Sequence, residues 1–81
     1  MAQKHKVRVF STKTCSYCNM EKDFLRQNKI EFEDIDVSAN QEAANEMVDK
    51  SGQMGVPVTE IDGKIVVGFD KEKLKKLLGI K

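Results

Sequence analysis

The stretch Lys6-Val7-Arg8-Val9-Phe10-Ser11-Thr12-Lys13-Thr14-Cys15-Ser16-Tyr17-Cys18 decides the fold. Lys6 to Phe10 is rich in β-branched and aromatic residues, with Val7 and Val9 on one face, and predicts a strand. From Ser16 the apolar period changes. Tyr17, Met20 and Phe24 fall at i, i+3 and i+7 with Leu25 beside them, which predicts a helix ending near Asn28. The two cysteines therefore stand where a strand gives way to a helix.

Working outward, Glu31 to Val37 carries Phe32, Ile35 and Val37 and is read as a second strand. Ser38-Ala39-Asn40-Gln41 has the form of a capping box. Ala43, Ala44, Met47 and Val48 then make one apolar helix face, closed by Gly52. Val56 to Glu60 and Ile65 to Gly68 flank Asp62-Gly63, the dipeptide favoured in a two-residue type I′ hairpin turn. Asp70 can cap a last helix with Leu74, Leu77 and Leu78 on its inner side and Gly79 at its end. The order is β-α-β-α-β-β-α. Its first β-α-β closes as a parallel pair with a right-handed crossover, and its last two strands as an antiparallel hairpin. An α/β fold follows, with a four-stranded mixed sheet flanked by three helices, and residues 1–81 are expected to form a single domain.

The chemistry lies in Cys15-Ser16-Tyr17-Cys18. Residues three apart on a helical turn lie about 5–6 Å apart at Cβ, so the sulfurs can join with little backbone movement. The first turn of a helix offers free N–H groups and the positive end of the macrodipole, which favours a thiolate at Cys15. Cys15 precedes the helix proper and is expected to be the more exposed, hence the attacking nucleophile. Cys18 is the resolving thiol. The Cys15 thiolate attacks a substrate disulfide, and either Cys18 or a small thiol then resolves the mixed disulfide. A bare C-x-x-C also occurs in zinc sites and copper carriers. Zinc normally takes four ligands, whereas this chain has two cysteines and one distant histidine, His5. A soft dithiolate can hold Cu(I), but small copper carriers need a different order of elements after the motif. Beside a βαβ pattern the motif reads as thioredoxin-like.

With Cys15-Ser16-Tyr17-Cys18, Val56-Pro57 and Gly68-Phe69-Asp70 in view, the chain resembles the glutaredoxins, in particular the short bacterial glutaredoxin-like redoxins, from Lys6 to about Leu78. The resemblance implies the thioredoxin fold. It also implies that the Val56–Pro57 bond is cis and lies against the cysteines, and that the Val56 backbone pairs with the cysteinyl part of a bound glutathione or substrate peptide. Glutathione, as reductant and co-substrate, would place its γ-glutamyl carboxylate at the start of the last helix, by Phe69 and Asp70, where free N–H groups bind anions. Tyr17 would lie beside the tripeptide, and Asp70 can equally be a plain helix cap. The chain departs from the family pattern at Ser16, where proline is usual. Thr12 takes the place of a glutathione-binding lysine, with Lys13 the nearest basic residue. Val67 replaces the first of two glycines, and Gly55 a threonine.

Three functions stay open from these residues. The first is a glutathione-dependent thiol–disulfide oxidoreductase acting on protein disulfides and glutathione mixed disulfides. The second is a redoxin recycled by a thioredoxin reductase as electron donor to an enzyme such as ribonucleotide reductase. The third is a carrier in which two chains hold a [2Fe–2S] cluster through Cys15 and glutathione. Tyr17 and Asp70 favour the first, Thr12 and Val67 the second.

Composition narrows the field. A net charge of +1 offers no footprint for nucleic acid or an anionic membrane. No apolar run nears the roughly 18 residues of a membrane span. The start of the chain has no signal-peptide pattern. Two cysteines this close would staple only a tiny loop. The expectation is a cytoplasmic monomer whose partners are glutathione and disulfide-containing proteins. Charges elsewhere read as solvated faces: Lys71, Lys73, Lys75 and Lys76 on the last helix, and Glu31, Glu33, Asp34 and Asp36 split between two faces of a strand. His5 reads as part of a solvated terminus, Met20 and Met47 as helix core, and Met54 as a lining of the substrate groove.

Overall fold

Seven elements follow one another as expected: β1 (Val7–Ser11), α1 (Ser16–Gln27), β2 (Glu33–Asp36), α2 (Gln41–Ser51), β3 (Val58–Ile61), β4 (Lys64–Val67) and α3 (Lys71–Leu78). The computed structural model describes residues 6–80, so His5 lies outside the described residues. The strands form one sheet in the order β2-β1-β3-β4. β1 runs parallel to β2 (Phe10 opposite Ile35) and antiparallel to β3 (Val9 opposite Thr59), and β3 pairs with β4 (Thr59 opposite Val66).

Strand alternation sends side chains to two cores. On one face Val7, Val9, Ile61 and Val66 meet Leu25 of α1 and Leu74 of α3. On the other, Phe10 and Val58 meet Ala43 and Met47 of α2. An ionic cluster fastens α2 to that second face. Arg8 donates from Nη1 to Glu46 and Glu60, both at 2.8 Å, and Lys50 reaches Glu60 at 2.7 Å. The hairpin turn holds Asp62 at φ 50 and Gly63 at φ 87, as a type I′ turn requires.

Local chemistry changes three expectations. The α2 cap is Asn40, whose side chain accepts from the Ala43 N–H at 3.1 Å, and not Ser38. The Asp36 carboxylate already holds the Ser38 N–H, and Gln41 donates to Asn45 instead of turning back to the cap. The second strand pairs only over Glu33–Asp36, and the third begins at Val58, one residue beyond the proline that has no N–H to give the ladder. On α1 the buried positions are Cys18, Glu21, Lys22, Phe24 and Leu25. Met20, expected in the core, is 50% exposed.

Candidate active site

β1 ends in the core and hands the chain to the loop 12–15, where the Cys15 N–H donates to the Thr12 carbonyl at 3.4 Å. Cys15 is itself the N-cap of α1, with extended backbone (φ −90, ψ 112). Its sulfur takes the part that a serine or aspartate oxygen plays at other helix starts, accepting from the Cys18 N–H at 3.2 Å. Opposite stands the Val56 carbonyl, 4.0 Å from Cys15 Sγ and accepting from its thiol. The Val56–Pro57 peptide bond is cis. Cys15 thus sits between the N–H end of a helix and the backbone of the Val56–Pro57 loop.

Both cysteines are free thiols, in different surroundings. Cys15 is half-buried, and Cys18 has no exposed surface. Burial first, then the neighbouring Cys15 sulfur, push the Cys18 thiol up to about 12. Lys22 acts the other way; its ammonium is bound to Asp34 at 3.0 Å.

The other expected site residues divide. Pro57 is fully buried beside Val56, and its carbonyl accepts from the Gly68 N–H at 2.8 Å, which ties the approach to α3 to the proline loop. Asp70 is exposed and caps α3 through the Lys73 N–H at 3.1 Å. Tyr17 is 64% exposed one residue from Cys18. Phe69 packs edge-on against Phe24, with ring centroids 6.1 Å apart, so its side chain serves the core between α1 and α3. Lys13 is exposed on the Thr12-side loop and faces Asp36, whose carboxyl lies below its ordinary range chiefly through the Ser38 hydroxyl. Met54 is 81% exposed, two residues before Val56.

Two residues of this region carry no sequence-based expectation. Glu21 is completely buried, and Thr59 of β3, also completely buried, donates its hydroxyl to the Glu21 carboxylate. Burial pushes the Glu21 carboxyl up to about 8. One signal could have marked it. Cys18, Glu21, Lys22 and Leu25 fall at i, i+3, i+4 and i+7, the spacing of an inner helix face, but two of the four are charged and hide it from a hydropathy count.

Three comparisons bear on this geometry. The glutaredoxin family model matches residues 7–66. A glutaredoxin-like 8.6 kDa protein in a rubredoxin operon of Clostridium pasteurianum is 40% identical over 72 residues, covering 89% of this chain and 96% of that one. Among solved structures, the thioredoxin-like protein BC3987 superposes with a TM-score of 0.85 at 34% identity, over 90% of this chain and 100% of that one. The glutaredoxin from Archaeoglobus fulgidus does so with a TM-score of 0.84 at 28% identity, over 90% and 85%.

Proposed function

The chain belongs to the glutaredoxin family, and from that premise we propose that it is a glutathione-dependent thiol–disulfide oxidoreductase, with Cys15 as nucleophile and Cys18 as resolving thiol. The observation that carries this is the placing of Cys15 Sγ, held by the Cys18 N–H on one side and facing the Val56 carbonyl on the other. A disulfide substrate entering there can lay its backbone along Val56 while Cys15 attacks in line with its sulfur. Transfer leaves a mixed disulfide on Cys15. In this reading Cys18, one turn on, resolves it when the substrate is a protein, and glutathione resolves it from solvent when it is not.

Glutathione would bind along the same groove. Its cysteinyl part would pair with the Val56 backbone. Its γ-glutamyl end would reach the start of α3 by Phe69 and Asp70, which the Gly68–Pro57 bond keeps near the cysteines. The exposed ring of Tyr17 would cover it, and Lys13 would supply charge from the Thr12 side. We place the protein in the cytosol, where thiols are kept reduced. No helix among the described residues is long and apolar enough to cross a membrane.

One observation favours a second reading, a redoxin served by a thioredoxin reductase. Tyr17, Met20, Met54 and Val67 leave apolar surface exposed, which suits a protein partner better than a charged tripeptide. A glutathione-ligated [2Fe–2S] carrier would need Cys15 from two copies, since no group of three or more potential ligands stands among the described residues. Visible absorbance of anaerobically purified protein reads on that directly, and a colourless preparation counts against it. The deciding experiment reduces a small mixed disulfide with NADPH, comparing glutathione plus glutathione reductase against thioredoxin reductase alone. Turnover that requires glutathione is the expected result. Turnover with thioredoxin reductase alone would replace it with the second reading.

A further inference from the structure

A buried thiol must lose its proton before it can attack. Cys18 has no exposed surface, so water cannot take that proton directly. One helical turn further on, on the same inner face of α1, lies Glu21, equally without exposed surface. One carboxylate oxygen accepts from Thr59; the other, Oε1, is buried with no hydrogen-bond partner among the described residues. A buried acceptor left without a donor costs about 1–3 kcal/mol, more for a charged group, so its persistence calls for a reason.

We infer that Glu21 is the internal base of the resolving step, taking the proton from the Cys18 thiol as that sulfur attacks Cys15, and returning it when the disulfide is next reduced. This rests on the dithiol mechanism proposed above. The Cys18 S–H bond breaks and its proton passes to the Glu21 carboxylate. The sulfur's electron pair forms the Cys18–Cys15 bond, the Cys15–substrate S–S bond breaks, and the substrate leaves as a thiolate that takes a proton from water. The cysteine pair is oxidised and the substrate reduced. When a thiol reductant reopens the disulfide, Cys18 departs as a thiolate and the neutral Glu21 carboxyl protonates it.

The surroundings fit this task. Burial holds Glu21 within reach of neutral pH, where a proton acceptor is most effective. Part of what keeps Cys18 protonated is the Cys15 sulfur, and that contribution ends once Cys15 is tied up in the mixed disulfide, the moment at which Cys18 must ionise. Few other charges face the pair. On α1 Lys22 is bound to Asp34 of β2. From β3 comes the Thr59 hydroxyl, while the adjacent Glu60 points to the opposite face and is bound by Arg8 and Lys50. β1, β4 and α3 bring apolar residues to this side, among them Val9, Val66 and Leu74.

The test uses the whole chain and a coloured aromatic disulfide, which reports mixed-disulfide formation and its resolution as two successive releases. Glu21→Gln should form the mixed disulfide at the wild-type rate and resolve it about tenfold or more slowly near pH 7, since general-base contributions begin at about a hundredfold and only about a tenth of Glu21 is ionised there. The inflection of the resolution rate near the Glu21 midpoint should vanish. Thr59→Val, which keeps the carboxyl but removes its donor, should move that inflection to higher pH. In the unmodified protein, carbon NMR of the Glu21 carboxyl should give different titration midpoints for the dithiol and the disulfide. Wild-type resolution with a wild-type pH profile in Glu21→Gln would overturn the assignment, as would identical midpoints in the two redox states. Failure to form any mixed disulfide on Cys15 would instead bring down the dithiol mechanism itself.

Discussion

Replacing Glu21 by glutamine should make the protein progressively more stable than the wild type as the pH rises. The carboxyl titrates near 4.5 when solvated and near 8 in the fold, because burial disfavours its charged form. A carboxyl with a raised folded pKa binds its proton more tightly in the native state. Its contribution is therefore fully present below pH 4.5 and is lost as the pH rises through 8. At about 1.4 kcal/mol per pH unit, roughly 5 kcal/mol is at stake over that window, of which about 3 kcal/mol is gone by pH 7. Glutamine keeps the shape, can still accept from Thr59 and has no charge to bury; its NH2 at the unpartnered Oε1 position costs about 1–3 kcal/mol, but that cost does not change with pH, so the variant's stability should stay level across the range. In a domain of this size about 3 kcal/mol corresponds to roughly 12–24 °C in Tm. Thermal melts of the reduced proteins at pH 5, 7 and 9 and constant ionic strength measure it. The stability of the variant relative to the wild type should rise by roughly 2–3 kcal/mol from pH 5 to pH 7 and further towards pH 9. Higher pH is avoided because the Cys18 thiol, also raised by burial, then begins to destabilise the fold in the same sense. A wild-type Tm that stays level from pH 5 to 9, or a relative stability of the variant that does not rise, would refute the buried-charge reasoning.

Cys15→Ser should abolish every transfer, whereas Cys18→Ser should keep removal of glutathione from mixed disulfides and lose reduction of protein disulfides; coupled NADPH assays on the two substrate types separate them. Leu25→Ala empties a fully buried site between α1 and the sheet and should cost about 2–5 kcal/mol, read as a lower urea midpoint with an unchanged slope. Asp70→Ala removes the α3 cap and should cost about 1 kcal/mol. The same variant should raise KM for glutathione while leaving kcat nearly alone; an unchanged KM would move the tripeptide away from α3.

The order of elements was legible because its punctuation is chemical. Asp62-Gly63 fixes the hairpin, Asp70 and Gly79 bracket α3, and the change from alternating to helical period marks the passage from β1 to α1. The place of the thiol pair was legible for the same reason, since the change of period after β1 puts Cys15 at the start of α1. The proline loop came from family likeness, as nothing in Val56-Pro57 distinguishes the two isomers locally. What escaped was set by tertiary packing. Tyr17 and Met20 have the residue types of a core and stand in solvent, while Glu21 and Lys22 have the types of a surface and are buried. Their placement follows from which side of α1 meets β3 and Asp34, and that is decided by the assembled sheet. The packing of the Phe69 ring on Phe24 was likewise set by how α1 and α3 meet.

The sheet order also decides how copies of this protein tolerate crowding. A sheet that does not close leaves two rims of backbone able to pair with another molecule. Here they are β2 and β4. Three of the four residues of β2 are acidic, Glu33, Asp34 and Asp36, so two copies meeting along that rim would press like charges together. β4 reads Lys-Ile-Val-Val, with Lys64 its one charge and Val67 46% exposed. Growth of aggregates by strand addition is therefore opposed by carboxylates on one side and by a single lysine on the other, so acetylation or neutralisation of Lys64 should lower the protein's solubility at high concentration.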